Sequence, residues 1–187
     1  MKQAYLYHYY REHELPLRRI SALSFDQARI VHNSFWASGF PDEDLNPYWS
    51  HRLEVEQWLR QACDSQGIER DVDAPYYFCY GPSDWCKGRY ERTPNGPCRA
   101  FELVIAVDAV DSTKASFTLP DSYYSFLLGV KQPAPIFREN AKSYHGKVFR
   151  LKDVAEVLQE HKWEELRHQC KLDTYVEVQL WYNPLLG

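Results

Sequence analysis

Glu177 lies within the run Tyr175-Val176-Glu177-Val178-Gln179-Leu180-Trp181-Tyr182. A carboxylate is unusual in a strand, because its charge must be solvated or paired. Alternation sends Tyr175, Glu177, Gln179 and Trp181 to one face and Val176, Val178, Leu180 and Tyr182 to the other. The first face is either solvated or the floor of a polar cleft. His8 poses the same choice near the other end of the chain. The segment Ala4 to Tyr10 places Leu6, His8 and Tyr10 on one face and Tyr5, Tyr7 and Tyr9 on the other. An imidazole there is either a packing residue or a ligand-contacting one. Between them, Pro75-Tyr76-Tyr77-Phe78 supplies rings that could stack on a flat ligand.

A second group of side chains follows Cys79. Trp85, Lys87, Arg89, Tyr90, Arg92 and Arg99 interleave cations with aromatics, a composition that can hold single-stranded nucleic acid. The alternative is a solvated loop offset by Asp84 and Glu91. Other arrangements are less specific. The five cysteines, Cys63, Cys79, Cys86, Cys98 and Cys170, are odd in number and contain no C-x-x-C pair, so free thiols are expected. Cys79, Cys86 and Cys98 with His145 have irregular spacing for zinc, and no metal site is assigned. Asp121, Ser122 and His145 could be drawn as a hydrolase triad, but no G-x-S-x-G elbow exposes the serine. No Walker loop or G-x-G-x-x-G is present.

The elements that must position these residues begin with the strand at Ala4 to Tyr10. Ser24-Phe25-Asp26-Gln27 has the form of a capping box, and Ala28, Val31 and Phe35 continue at helical spacing until Gly39 and Pro41. A second helix is predicted from Tyr48 to Gln66, burying Trp49, Leu53, Leu59 and Cys63 and ending at Gly67. A strand at Ala74 to Tyr80 precedes a long loop reaching about Arg99. Phe101 to Val107 and Ala115 to Leu119 alternate as strands and are expected to pair as a hairpin. A second long loop is expected over 120 to 147, followed by a short helix with Val154, Val157 and Leu158 inward and a last strand from Thr174 to Tyr182. Helices do not alternate regularly with strands, which predicts an α+β fold with a mixed, mostly antiparallel sheet and helices packed on it.

The chain of 187 residues fits a single domain spanning 1–187. Its net charge of −4 provides no global attraction to phosphate backbones or anionic membranes, so any nucleic-acid contact must be local to 81–99. No stretch has the length of a membrane span and the N-terminus lacks the layout of a signal peptide, which makes the cytoplasm the expected location.

Tyr7-His8-Tyr9 on the first strand, Pro75-Tyr76-Tyr77-Phe78 in the middle and Tyr175-Val176-Glu177-Val178 at the end together resemble the layout of ADP-ribosyltransferase folds, nearest to the DNA-modifying ADP-ribosyltransferase toxins. The resemblance implies an NAD-consuming transferase or glycohydrolase. His8 would contact the NAD ribose and Glu177 would be catalytic. Tyr77, or Tyr80, would stack on the nicotinamide, with Tyr9 also on the cofactor. Arg89, Arg92 and Trp85 would meet the acceptor. A tyrosine at 175, where arginine-modifying members carry a second acid, speaks against arginine as acceptor. Tyr76, Tyr123 and Tyr124 compete for the stacking role. LYHYYRE, Ser116-Phe117-Thr118 with Asp121-Ser122, and YVEVQLW also resemble a group of small bacterial proteins, a likeness that carries no activity with it. The rival reading is a non-catalytic ligand-binding or protein-interaction module using the same aromatic cleft.

Overall fold

In a computed structural model, which describes residues 3–12, 14–35, 45–93, 96–166 and 175–186, the β-branched and aromatic runs form one antiparallel sheet. Its strands are β1 (Tyr5–Arg11), β2 (Tyr76–Tyr80), β5 (Ala100–Ala106), β6 (Ala115–Thr118), β7 (Phe149–Arg150) and β8 (Glu177–Leu180), in the order β5-β1-β2-β8-β6-β7. Two further short strands, β3 (Arg92–Thr93) and β4 (Gly96–Pro97), pair only with each other. The hairpin expected between β5 and β6 is not formed. β5 pairs with β1 from Tyr5↔Ala106 to Arg11↔Ala100, and β6 pairs with β8 and β7. Local turn chemistry at Asp111-Ser112 instead builds a 3-10 turn capped by Asp111, whose side chain accepts from Thr113 N–H, so the chain passes from one end of the sheet towards the other.

The first helix starts as its sequence dictates. In α1 (Phe25–Phe35) the Gln27 N–H donates to Ser24 Oγ at 3.4 Å, and the Ser24 N–H donates to Gln27 Oε1 at 3.1 Å. This reciprocal cap satisfies two otherwise orphaned donors. Helix α2 (Leu45–Gln66) ends where Gly67 adopts φ +68°, a conformation that costs a glycine little. Its inward face differs by a fraction of a turn from expectation. Leu53 is exposed, while Val55, Glu56, Leu59 and Cys63 are buried.

The expected loop over 81–99 is instead α3 (Asp84–Tyr90) followed by the β3–β4 ribbon. Ser83 caps α3, its Oγ accepting from the Cys86 N–H at 3.2 Å. The expected loop over 120–147 contains α4 (Ser122–Phe126), a π-helical turn over Leu127–Lys131 and α5 (Pro135–Glu139). Each of these helical segments is too short to show an amphipathic period, which is why composition alone read as loop. Helices α6 (Val154–Glu160) and α7 (Trp163–Leu166) follow, and α6 buries Val154 and Val157 as expected.

Apolar side chains cover both faces of the sheet. Leu6, Phe78, Phe117, Val178 and Leu180 pack on one side with Val154, Val157 and Trp163, and Trp181 joins Val55, Leu59, Cys63 and Phe126 on the other. Strand β8 is therefore central and buried on both sides. This overturns a solvated face for Glu177 and Gln179. The expected start of that strand, Thr174, lies outside the described residues. Among the described residues no helix is long and apolar enough to cross a membrane.

Candidate functional site

Strands β1 and β2 pair only at Leu6↔Tyr80 and Tyr7↔Cys79, whereas β1 continues along β5 as far as Arg11. Beyond Tyr7 the two strands part, and the His8 ring occupies the gap. Leu17 N–H donates to His8 Nε2 at 3.0 Å, so the ring proton is on Nδ1, which donates to the Tyr77 carbonyl at 2.9 Å. A side chain thus replaces a ladder hydrogen bond. Burial holds the imidazole pKa below its ordinary value, so His8 is neutral.

The split opens into a crevice of about 500 Å³ lined by residues from β1, β2, β8, α2 and α3 and from the 14–20 and 121–124 segments. That volume falls within the usual range for small-molecule sites. Cross-strand pairing puts Tyr7, Cys79 and Glu177 in one row on one face. His8 leaves the other face and packs on Phe78 with ring centroids 5.4 Å apart. The two residues expected to share a catalytic role line the same crevice only through the parting of β1 and β2. Both nitrogens of His8 are committed to backbone. It holds the split, and in this state offers no nitrogen to a ribose.

Glu177 is built as the fixed point of the opposite face. Its Oε1 accepts from the Ser122 N–H at 3.1 Å and from Gln179 Nε2 at 3.2 Å, and its Oε2 accepts from the Tyr175 hydroxyl at 3.1 Å. Gln179 is itself held, because its Oε1 accepts from Ser116 Oγ at 2.9 Å, and that hydroxyl accepts from the Trp181 indole N–H at 2.9 Å. A satisfied chain of this kind fixes the carboxylate's orientation. Tyr175 continues the arrangement outward, its ring stacked on Trp85 at 5.8 Å.

Asp121 stands beside this carboxylate. Its side chain caps α4 by accepting from the Tyr124 N–H at 3.0 Å. Burial, then the negative charge of Glu177, push its pKa up to about 7. Arg52, from α2, pulls in the opposite direction. The Arg52 guanidinium also lies 4.0 Å from the Tyr77 ring centroid and 3.4 Å from Glu56. Buried Glu56 in turn accepts from the Tyr77 hydroxyl at 3.0 Å and from Ser21 Oγ at 2.6 Å.

The remaining expected residues divide between crevice and periphery. Tyr77 lines the crevice, but one face of its ring carries Arg52 and its hydroxyl is engaged. Tyr9 lines it too, its hydroxyl accepting from the Ser83 N–H at 2.9 Å and its pKa raised by burial to about 12. Tyr80 packs against the core of the other face and does not reach the crevice. Trp85 and Arg89 line the mouth, with the guanidinium 4.8 Å from the Trp85 ring centroid. Arg92 is exposed on β3, away from the crevice, and its carbonyl accepts from Arg11 Nη2 at 2.6 Å. Lys87 pairs with Glu102 at 2.8 Å and Arg99 lies over Phe101. The cations of 81–99 are therefore dispersed, and of them only Arg89 lines the crevice.

Cys79 and Cys86 are free thiols with sulfurs 3.2 Å apart. Among the described residues no group of three His, Cys, Asp or Glu is placed to hold a metal. His145 Nδ1 accepts from the Lys142 N–H, and Ser122 is fully buried in α4, so the Ser122 hydroxyl is not presented as a nucleophile.

Arg52 and Glu56 are not singled out by the sequence, and Asp121 enters it as part of a discarded triad and not beside Glu177. Asp121 carried a signal, since Asp-Ser-Tyr-Tyr after a proline is a helix N-cap pattern. Arg52 and Glu56 are four apart on one helix face, but an i,i+4 pair reads as a surface bridge until burial is known. No protein-family model matches the chain, no curated protein matches it, and no solved structure matches its fold.

Proposed function

We propose that the crevice binds NAD and cleaves its nicotinamide–ribose bond, as an ADP-ribosyltransferase or an NAD glycohydrolase with an ADP-ribosyltransferase-like fold. Bond breaking passes through an oxocarbenium-like state, and a fixed carboxylate facing the developing positive charge stabilises that state more than the ground state. The observation carrying this reading is Glu177, oriented by three donors at the base of an aromatic crevice. Tyr123 and Tyr124 also line it and take over the stacking role from Tyr77, whose ring is shared with Arg52.

The test is release of nicotinamide from NAD by the pure protein, compared with Glu177→Gln. A glutamine keeps an acceptor for Ser122 and a donor for the Tyr175 oxygen. The expected result is loss of turnover by about 10²-fold or more with NAD binding retained. Equal rates in the two proteins overturn the proposal.

A second reading, a binding module without turnover, is favoured by one observation. The side chains of His8 and Tyr77 already make their polar contacts within the protein. On that reading the same crevice holds a flat ligand, and neither protein releases nicotinamide. Arg89 and Trp85 line the crevice, and on the transferase reading they would be the part of 81–99 to meet a nucleic-acid acceptor.

A further inference from the structure

Asp121 stands beside Glu177 among the carboxyl groups lining the crevice, Glu14 being the third, and cleavage of a nicotinamide–ribose bond needs only one. Nicotinamide is bound to ribose as a pyridinium and leaves as a neutral ring, so no acid has to protonate it. Proton transfer enters at the other end of the reaction. A nucleophile carrying an O–H or N–H must lose its proton as it bonds to the ribose carbon. We infer that Asp121 is the group that takes this proton, and that the crevice therefore serves a neutral acceptor, either water or an uncharged O–H or N–H group. The inference rests on the NAD-cleaving reading above.

The geometry supports a second role beside Glu177. Ser122 N–H donates to Glu177 Oε1 at 3.1 Å, and the preceding residue is Asp121, so consecutive residues tie the two carboxyl groups together. Both line the same crevice, yet their surroundings differ. Glu177 receives three donors, one from its own strand, one from α4 and the Tyr175 hydroxyl. Asp121 has one oxygen on the Tyr124 N–H, and it is influenced by the charge of Glu177 from β8, by Arg52 from α2 and by the amide of Tyr123. The Tyr175 hydroxyl and the Cys79 thiol also sense its charge. One carboxylate is saturated by donors and the other keeps an oxygen beyond its single cap bond, which is how one site divides an electrostatic task from a proton-transfer task. A base that titrates near neutrality is well matched to accepting a proton at neutral pH.

The step balances as follows. The C1′–N bond breaks and its electron pair goes to the nicotinamide ring nitrogen, discharging the pyridinium. The acceptor's oxygen or nitrogen lone pair forms the new bond to C1′. The acceptor's proton passes to the Asp121 carboxylate, which later releases it to solvent.

Asp121→Asn tests this, since asparagine also caps helices but cannot take a proton. The reactions are NAD hydrolysis, methanolysis in dilute methanol, and exchange of nicotinamide for 3-acetylpyridine, a nucleophile with no proton to lose at its reacting nitrogen. The inference predicts that wild-type hydrolysis rises with pH through about pH 7 and then levels off. In Asp121→Asn, hydrolysis and methanolysis fall by about 10²-fold and that pH limb disappears. The ratio of exchange to hydrolysis rises by about tenfold or more. Exchange and hydrolysis falling in parallel, or an unchanged pH limb, overturns the inference while leaving NAD cleavage intact. Absence of any nicotinamide release by the wild-type protein overturns the NAD reading and this inference together.

Discussion

The backbone N–H of Ser122 donates to Glu177 Oε1 across 3.1 Å, joining the first turn of α4 to the first residue of β8. Glu177 is thus held by a helix terminus as well as by its own strand, and Asp121 is carried into its field by the same link.

Asp121 gives stability an unusual pH dependence. Its folded pKa, about 7, lies above its ordinary value of 3.8, so the folded protein binds the extra proton between those limits. Stability from this group is fully present below about pH 3.8 and is lost as pH rises to about 7. Asp121→Asn removes the loss. Relative to wild type, the variant gains up to about 4 kcal/mol on going from pH 4 to pH 8. Urea midpoints at the two pH values check this; a constant difference contradicts it.

His8 acts with the opposite sign. Its folded pKa is lowered from 6.5, so the unfolded chain binds more protons as pH falls below 6.5. The stability it contributes is full above 6.5 and declines as pH falls towards the folded value. His8→Ala leaves the Leu17 N–H and the Tyr77 carbonyl without this partner, at a cost of about 2–4 kcal/mol. Thermal unfolding at pH 7.5 should show a drop of roughly 5–15 °C, and NAD affinity should fall with it as the split loses its wedge.

Tyr175→Phe removes one donor to Glu177 while keeping the ring on Trp85. Nicotinamide release is expected to fall about tenfold, the range of one hydrogen bond to a charged group, with NAD affinity changed less than about threefold. Steady-state kinetics separate the two parameters.

Gly129 and Gly146 bring two backbones into close approach. A Cβ at Gly129 would collide with the backbone N of Gly146, and Gly146 itself has φ +75°. Backbone cannot rotate away as a side chain can. Gly129→Ala should destabilise the fold by about 3 kcal/mol or more, seen as a fall in Tm of about 6–12 °C.

Much of this was legible in the sequence where periodicity is strong. β1, α1, α2, β2 and β8 emerge from alternation, capping and terminal glycine, and Glu177 was singled out because a carboxylate in a strand needs a partner. Other features depend on tertiary contacts. The β5–β6 pairing failed because β1, β2 and β8 lie between the two strands, which no turn signal reveals. Leu53 and Val55 exchange inside and outside because α2 packs along α4 and Trp181. His8 was legible as a mid-strand imidazole, but not as a wedge, since its partners are the backbone groups of Leu17 and Tyr77. Asp121 becomes a site residue only through burial beside Glu177.

The decisive measurement is titration of NAD into the protein, followed by tryptophan fluorescence. Trp85 lies at the crevice mouth, so occupancy should quench its emission. If the crevice binds NAD, the response saturates at or below about 1 mM NAD in wild type and Glu177→Gln, and the signal is lost in Trp85→Phe. No saturable response at about 10 mM in either protein, with the fold intact by circular dichroism, would contradict it.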